Sequence, residues 1–173
     1  MAERSAITEQ IQGKVAHLVA TLPVGVGLCL IGGFRYRLLD RGVRRSVDID
    51  YHWEGDLEVK QRELIDLFDR RLLPDVRRQL GLEGSVAAAR GAAAESTAVA
   101  IVDLAFWQLH STIGRIEIPV EITRIECADP PAARTAEGVV YRDLPPLNVA
   151  TFRERISSGD AAPALIPAGL LAM

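Results

Sequence analysis

The sequence predicts an α+β fold, a mixed β-sheet flanked by helices within one domain. Three observations carry this. Segments of helical and strand periodicity alternate as helix, strand, helix, strand, helix, and two long β-rich runs follow. The pair Gly32-Gly33 stands between a buried apolar run and a helical one. The 173 residues, 49% hydrophobic and 25% charged, suffice to bury one core unaided.

The elements follow in order. Ile7, Ile11, Val15, Leu18 and Leu22 recur at three- and four-residue spacing and mark an amphipathic helix, with Ser5 as its cap and Pro23 and Gly25 as its stop. Val26 to Ile31 reads as a buried strand, Phe34 to Arg41 as a short helix closed by Gly42. Arg45 to Trp53 alternates as a strand, with Val47, Ile49 and Tyr51 on one side and Asp48 and Asp50 on the other. Leu57 to Leu80 is helical with Leu64, Leu67, Phe68, Leu72, Val76 and Leu80 on its buried face, and Pro74 kinks or divides it. Gly84 to Glu95 is alanine-rich and fits neither pattern cleanly. Thr97 to Leu109 and Arg115 to Cys127 read as strands joined by a turn at His110 to Gly114. The core of the domain spans about residues 20–128. From Asp129 to Met173 the pattern weakens, with one further strand candidate at Gly138 to Arg142.

Composition narrows the function classes. A net charge of -3 means that the overall field does not attract a polyanion, so a nucleic acid would have to meet a local basic patch. Arginine far exceeds lysine and alanine is abundant, as in proteins of GC-rich bacterial genomes. Cys29 and Cys127 belong to no metal-spaced cluster and read as buried thiols, which fits a reducing cytoplasm. The nearly uncharged run Val15 to Gly33 is broken by His17, Thr21, Pro23, Gly25 and Gly27, so no membrane span is expected.

Asp48-Ile49-Asp50 is the sharpest chemical feature. Strand neighbours two apart project from one face, so the two carboxylates are close. At about 5 Å and an effective dielectric near 20 their repulsion costs about 3 kcal/mol, which a divalent cation with a preference for oxygen would relieve. Pairing with Arg44 and Arg45 would relieve it without a metal. A third carboxylate is expected from a neighbouring strand: Glu117 and Glu121 share one face of Ile116 to Ile122, and Asp103 is a weaker candidate. Gly32 and Gly33, ahead of a helix, let backbone N–H groups approach a phosphate. Arg45 can bind phosphate through its guanidinium and Ser46 through its hydroxyl. His17, His52 and His110 form no ligand or base constellation and read as structural.

Leu30-Ile31-Gly32-Gly33 followed by Arg45-Ser46-Val47-Asp48-Ile49-Asp50-Tyr51 resembles the AbiEii/AbiGii toxin branch of the nucleotidyltransferase-like proteins, and Gly114 to Ile122 looks like that family's third acidic strand. The resemblance covers residues 20–128. It implies a nucleotidyltransferase-like fold that binds a nucleoside triphosphate with Mg2+. Gly32, Gly33, Arg45 and Ser46 would contact the nucleotide, Asp48 and Asp50 would hold the metal, and Glu121 or Glu117 would assist the nucleophile. It further implies an RNA or protein acceptor and a cognate antitoxin. Two features depart from the family pattern. Phe34 stands where a threonine or serine is usual, and the family's C-terminal helical motif has no counterpart, since Arg142-Asp143 sits in a strand-like context. A non-catalytic member of the same fold, binding a nucleotide or a partner, is the alternative.

Overall fold

The computed structural model describes residues 2–40, 46–90, 97–125, 132–134 and 138–142. Helix α1 runs over Ala2–Thr21 and buries Ile11, Gln12, Val15, Ala16 and Val19. Ser5 lies inside this helix rather than capping it, because Ala2, Glu3 and Arg4 extend the helix toward the N-terminus; its hydroxyl donates to Glu9 instead. Pro23–Gly25 forms a single 3-10 turn that ends the helical run. Strand β1, Cys29–Ile31, is shorter than the apolar run suggests, since Gly27 adopts a φ of 86° and turns the chain just before it. Helix α2, Gly32–Asp40, starts on the glycine pair itself. Strand β2 is Ile49–His52, so Asp48 sits in a bend immediately ahead of it rather than within it. The expected phosphate ligand Arg45, together with Arg44, Gly42 and Cys127, lies outside the described residues.

Asp56 caps α3, Leu57–Leu67, by accepting from the Val59 N–H at 2.9 Å. A widened turn at Phe68–Leu72 divides it from α4, Leu73–Leu80; there the Leu73 N–H reaches back five residues to the Phe68 carbonyl. This turn accommodates Pro74, which has no N–H and would crowd the preceding turn of a regular helix. Gly81, at φ 67°, closes α4. The alanine-rich segment becomes strand β3, Glu83–Arg90, paired with β4, Thr97–Trp107. A Cβ on Gly84 would lie 2.8 Å from Leu73 and 2.9 Å from Phe106, so only a very small residue fits beneath α4. Strand β5, Ile116–Ile125, returns from the β4–β5 turn, in which His110 and Gly114 carry positive φ. Two short strands follow: β6, Ala132–Arg134, and β7, Val140–Arg142.

Among the described residues the sheet has seven strands in the order β3-β4-β5-β2-β1-β7-β6. Pairs β2/β5 and β1/β7 are parallel and the others antiparallel, so the sheet is mixed. The register aligns Ile49 with Val120 and Val120 with Val102, and these residues share one core with Ile11, Val15, Leu64, Phe68, Leu72 and Val76 of the helices. The opposite face carries Asp50, Glu121 and Ile101 side by side, with the exposed Asp103 one step along. One face of the sheet is therefore roofed by helices while the other carries polar groups. No described helix is long and apolar enough to cross a membrane.

Candidate functional site

Asp50 pairs with Ile31 of β1 on one side and Glu121 of β5 on the other. Gly32, the next residue after Ile31, has a φ of 76°, and a Cβ there would lie 2.1 Å from Asp50 Oδ2. Only glycine lets the carboxylate occupy this position. Gly33 lies less tightly against Ser46, whose Cβ and Oγ would stand 3.3 Å from an added methyl. The Ser46 hydroxyl lies within hydrogen-bond reach of the Asp48 carbonyl, at 3.1 Å, and of the Asp48 carboxylate, and donates between them. The first turn of α2 is thus pressed against Asp50 and against Ser46, which bonds Asp48, with the unbonded N–H groups of a helix start nearby.

Asp48, Asp50 and Glu121 each present a carboxylate oxygen such that all three lie within 4.8 Å of one another. Burial, the Asp48 charge and the Glu121 charge, in that order, push the Asp50 carboxyl up to about 8. Glu121 is also raised, first by burial, then by Asp48 and Asp103. Among the described residues no Lys, Arg or His side chain forms an ion pair with any of the three. Among the described residues, negative charge is therefore concentrated with no cation paired to it. Three oxygen donors of this kind fit a hard divalent cation such as Mg2+, and offer no soft ligand for zinc or copper.

The two candidates for the third carboxylate separate clearly. Glu117 lies opposite Ala105, four residues from Glu121 and therefore about 13 Å along the strand. It is exposed and accepts a 3.0 Å hydrogen bond from Arg115 Nε. Asp103, opposite Pro119, is exposed, lies outside the three-carboxylate group, and its charge helps to raise Glu121. Phe34 is 4% exposed and belongs to the core, so this position of α2 serves packing and supplies no hydroxyl.

Sequence reasoning did not single out two residues of this neighbourhood. Gln12 of α1 is fully buried, and its Nε2 donates to the carbonyls of Ser46 at 2.8 Å and Val47 at 3.2 Å. A polar residue in line with Ala16 and Val19 on the buried face of a helix was the only available hint. Arg35, on the first turn of α2, is 3% exposed.

No protein-family model and no curated protein matches the chain. Solved structures do. A Helicobacter pylori protein proposed to be a nucleotidyltransferase superposes with a TM-score of 0.55 at 14% identity, over 90% of this chain and 59% of its own. JHP933 from Helicobacter pylori gives 0.53 at 14% identity, over 89% and 56%. The fold is nucleotidyltransferase-like. The present chain spans less than two thirds of either neighbour's length.

Proposed function

We propose that this protein is a metal-dependent nucleotidyltransferase, transferring a nucleotide from a nucleoside triphosphate to a hydroxyl of an RNA or protein acceptor. The observation that carries this reading is the meeting of Asp48, Asp50 and Glu121 directly beside Gly32, at the start of α2. Asp48 and Asp50 would hold Mg2+, with Glu121 beside them as the third carboxylate. The bound cation would neutralise triphosphate charge and align the nucleotide for in-line displacement. Gly32 and Gly33 leave room for phosphate oxygens at the N-terminus of α2. Arg45 and Ser46 complete the phosphate contacts that the family resemblance implies.

The acceptor oxygen forms a bond to the α-phosphorus while the bond to the leaving pyrophosphate breaks, and the acceptor's proton passes to a carboxylate. Glu121 suits that role, since burial and neighbouring charge raise its affinity for a proton. Service as the toxin of a toxin-antitoxin pair in the bacterial cytoplasm follows from the same resemblance. The burial of Phe34, where a phosphate-binding hydroxyl is usual, favours a second reading: a non-catalytic member that binds nucleotide or a partner.

The test is to incubate the protein with Mg2+, α-labelled nucleoside triphosphates and either total RNA or cell protein, beside the Asp48→Asn, Asp50→Asn double variant. Label transfer by the wild type alone supports the enzyme. Transfer that survives in the double variant rules out the proposed centre. Mg2+-dependent triphosphate binding without transfer, lost in the variant, supports the non-catalytic reading.

A further inference from the structure

We infer that Gln12 is a positioning residue of the carboxylate centre, acting through the backbone of Ser46 and Val47 to set Asp48. The inference rests on the metal-centre reading above and names a residue of α1 that the reading does not require. Asp50 and Glu121 stand on paired strands, so the ladder fixes their backbones. Asp48 does not: it lies in the bend ahead of β2, outside the ladder. Gln12 supplies what the ladder omits. Its amide N–H2 donates to two successive carbonyls, at 2.8 Å and 3.2 Å, immediately before Asp48. A side-chain amide is suited to this, because one nitrogen carries two donors.

The environment argues against a packing role alone. Gln12 has 0% exposure and lies among Ile11, Val15, Ala16 and Val19, where an apolar side chain would pack without desolvation cost. Its Oε1 has no hydrogen-bond partner among the described residues, so the amide is oriented entirely by the two carbonyls it serves. One turn back on α1, Glu9 pairs with Arg37 and so ties α1 to α2 as well. Helix α1 thus tethers the segment leading to one ligand, while the sheet holds the other two.

The experiment is a Mn2+ titration, following free Mn2+ by its electron paramagnetic resonance signal, with wild type, Gln12→Met, Gln12→Asn, Val15→Ala and Asp50→Asn, and a thermal melt of each. Gln12→Met keeps the length and removes both donors; it is expected to weaken Mn2+ binding about 10- to 100-fold, the usual effect of losing a group that orients a ligand. Gln12→Asn, with the amide on a shorter arm, is expected to lose less. Val15→Ala opens a cavity in the same helix at a fully buried position and is expected to melt lower while binding Mn2+ within twofold of wild type. The inference is overturned if Gln12→Met binds like wild type, or if Val15→Ala weakens binding as much. Should Gln12→Met not fold, wild-type affinity in Gln12→Asn overturns it. If wild type itself binds no better than Asp50→Asn, the metal-centre reading falls and takes this inference with it, a pattern distinct from the others.

Discussion

Glu117 and Glu121 are the same residue type on the same face of the same strand, yet their surroundings are opposite. Glu117 is 71% exposed and bonded to Arg115, whose guanidinium also lies 5.2 Å from the Trp107 ring centroid. Glu121 is half-buried, has no cation paired with it among the described residues, and faces Asp50, Asp48 and Asp103. Water and arginine neutralise the first. The second is shielded from part of the water and has no described cation beside it, and so retains affinity for a proton or a metal ion. What separates a surface carboxylate from a site carboxylate is therefore its partners across the sheet, four residues of strand being enough to change them.

Replacing each with glutamine sharpens this contrast most. Glu121→Gln is expected to lower nucleotide transfer by about 10²- to 10⁴-fold, the range for a lost proton acceptor. Glu117→Gln should stay within twofold in the same assay. Equal losses would mean that the two carboxylates act alike, and the distinction drawn from their surroundings would fail.

Gly32→Ala tests the packing that lets Asp50 join Glu121. The new methyl would collide with Asp50 Oδ2 at a backbone φ of 76°. A loss of roughly 2–4 kcal/mol in stability is expected from strain and displacement together, measured by denaturant unfolding, along with weaker Mn2+ binding. A variant of wild-type stability would show that the carboxylate moves aside without cost.

The acidic pair was legible in the sequence because its geometry is local: two residues apart near a strand start, next to a glycine pair, means proximity in almost any fold that contains them. Choosing between Glu117 and Glu121 was not, because the choice depends on the parallel register of β2 with β5, which pairs residues 71 positions apart (Asp50 with Glu121). Gln12 was invisible for the same reason, as its partners are 34 and 35 residues away. Strand β3 escaped because alanine favours helices in isolation, whereas the segment is held as a strand by its antiparallel pairing with β4. Pro74 did signal the division of the long helix, whereas the widened turn ahead of it had no local signature.

The raised Asp50 pKa predicts an unusual pH profile for the metal-free protein. A carboxyl near 3.9 when unfolded and about 8 when folded binds more protons in the native state across that interval. Its contribution to stability is present at acid pH and is lost as pH rises through 8. Thermal melts in chelator should therefore fall between pH 5 and 8, and Asp50→Asn should flatten this trend. At pH 8 the variant is expected to gain about 1–2 kcal/mol, roughly 2–8 °C in Tm for a chain of this size. Added Mg2+ should raise the wild-type melt and leave the variant unchanged. A wild-type melt independent of pH over this range would remove Asp50 from the strained cluster.

Glu117→Ala is expected to have the smallest effect, and the reason closes the comparison. Its partner Arg115 is 56% exposed, so solvent screens the pair, and exposed ion pairs of this kind contribute about 0–1 kcal/mol. The variant also leaves Arg115 beside the Trp107 ring and in water, with no charge stranded in the interior. Chemical denaturation should show a change below about 0.5 kcal/mol, shrinking further at high salt. A larger cost, insensitive to salt, would mean that Glu117 holds β5 through more than its surface ion pair.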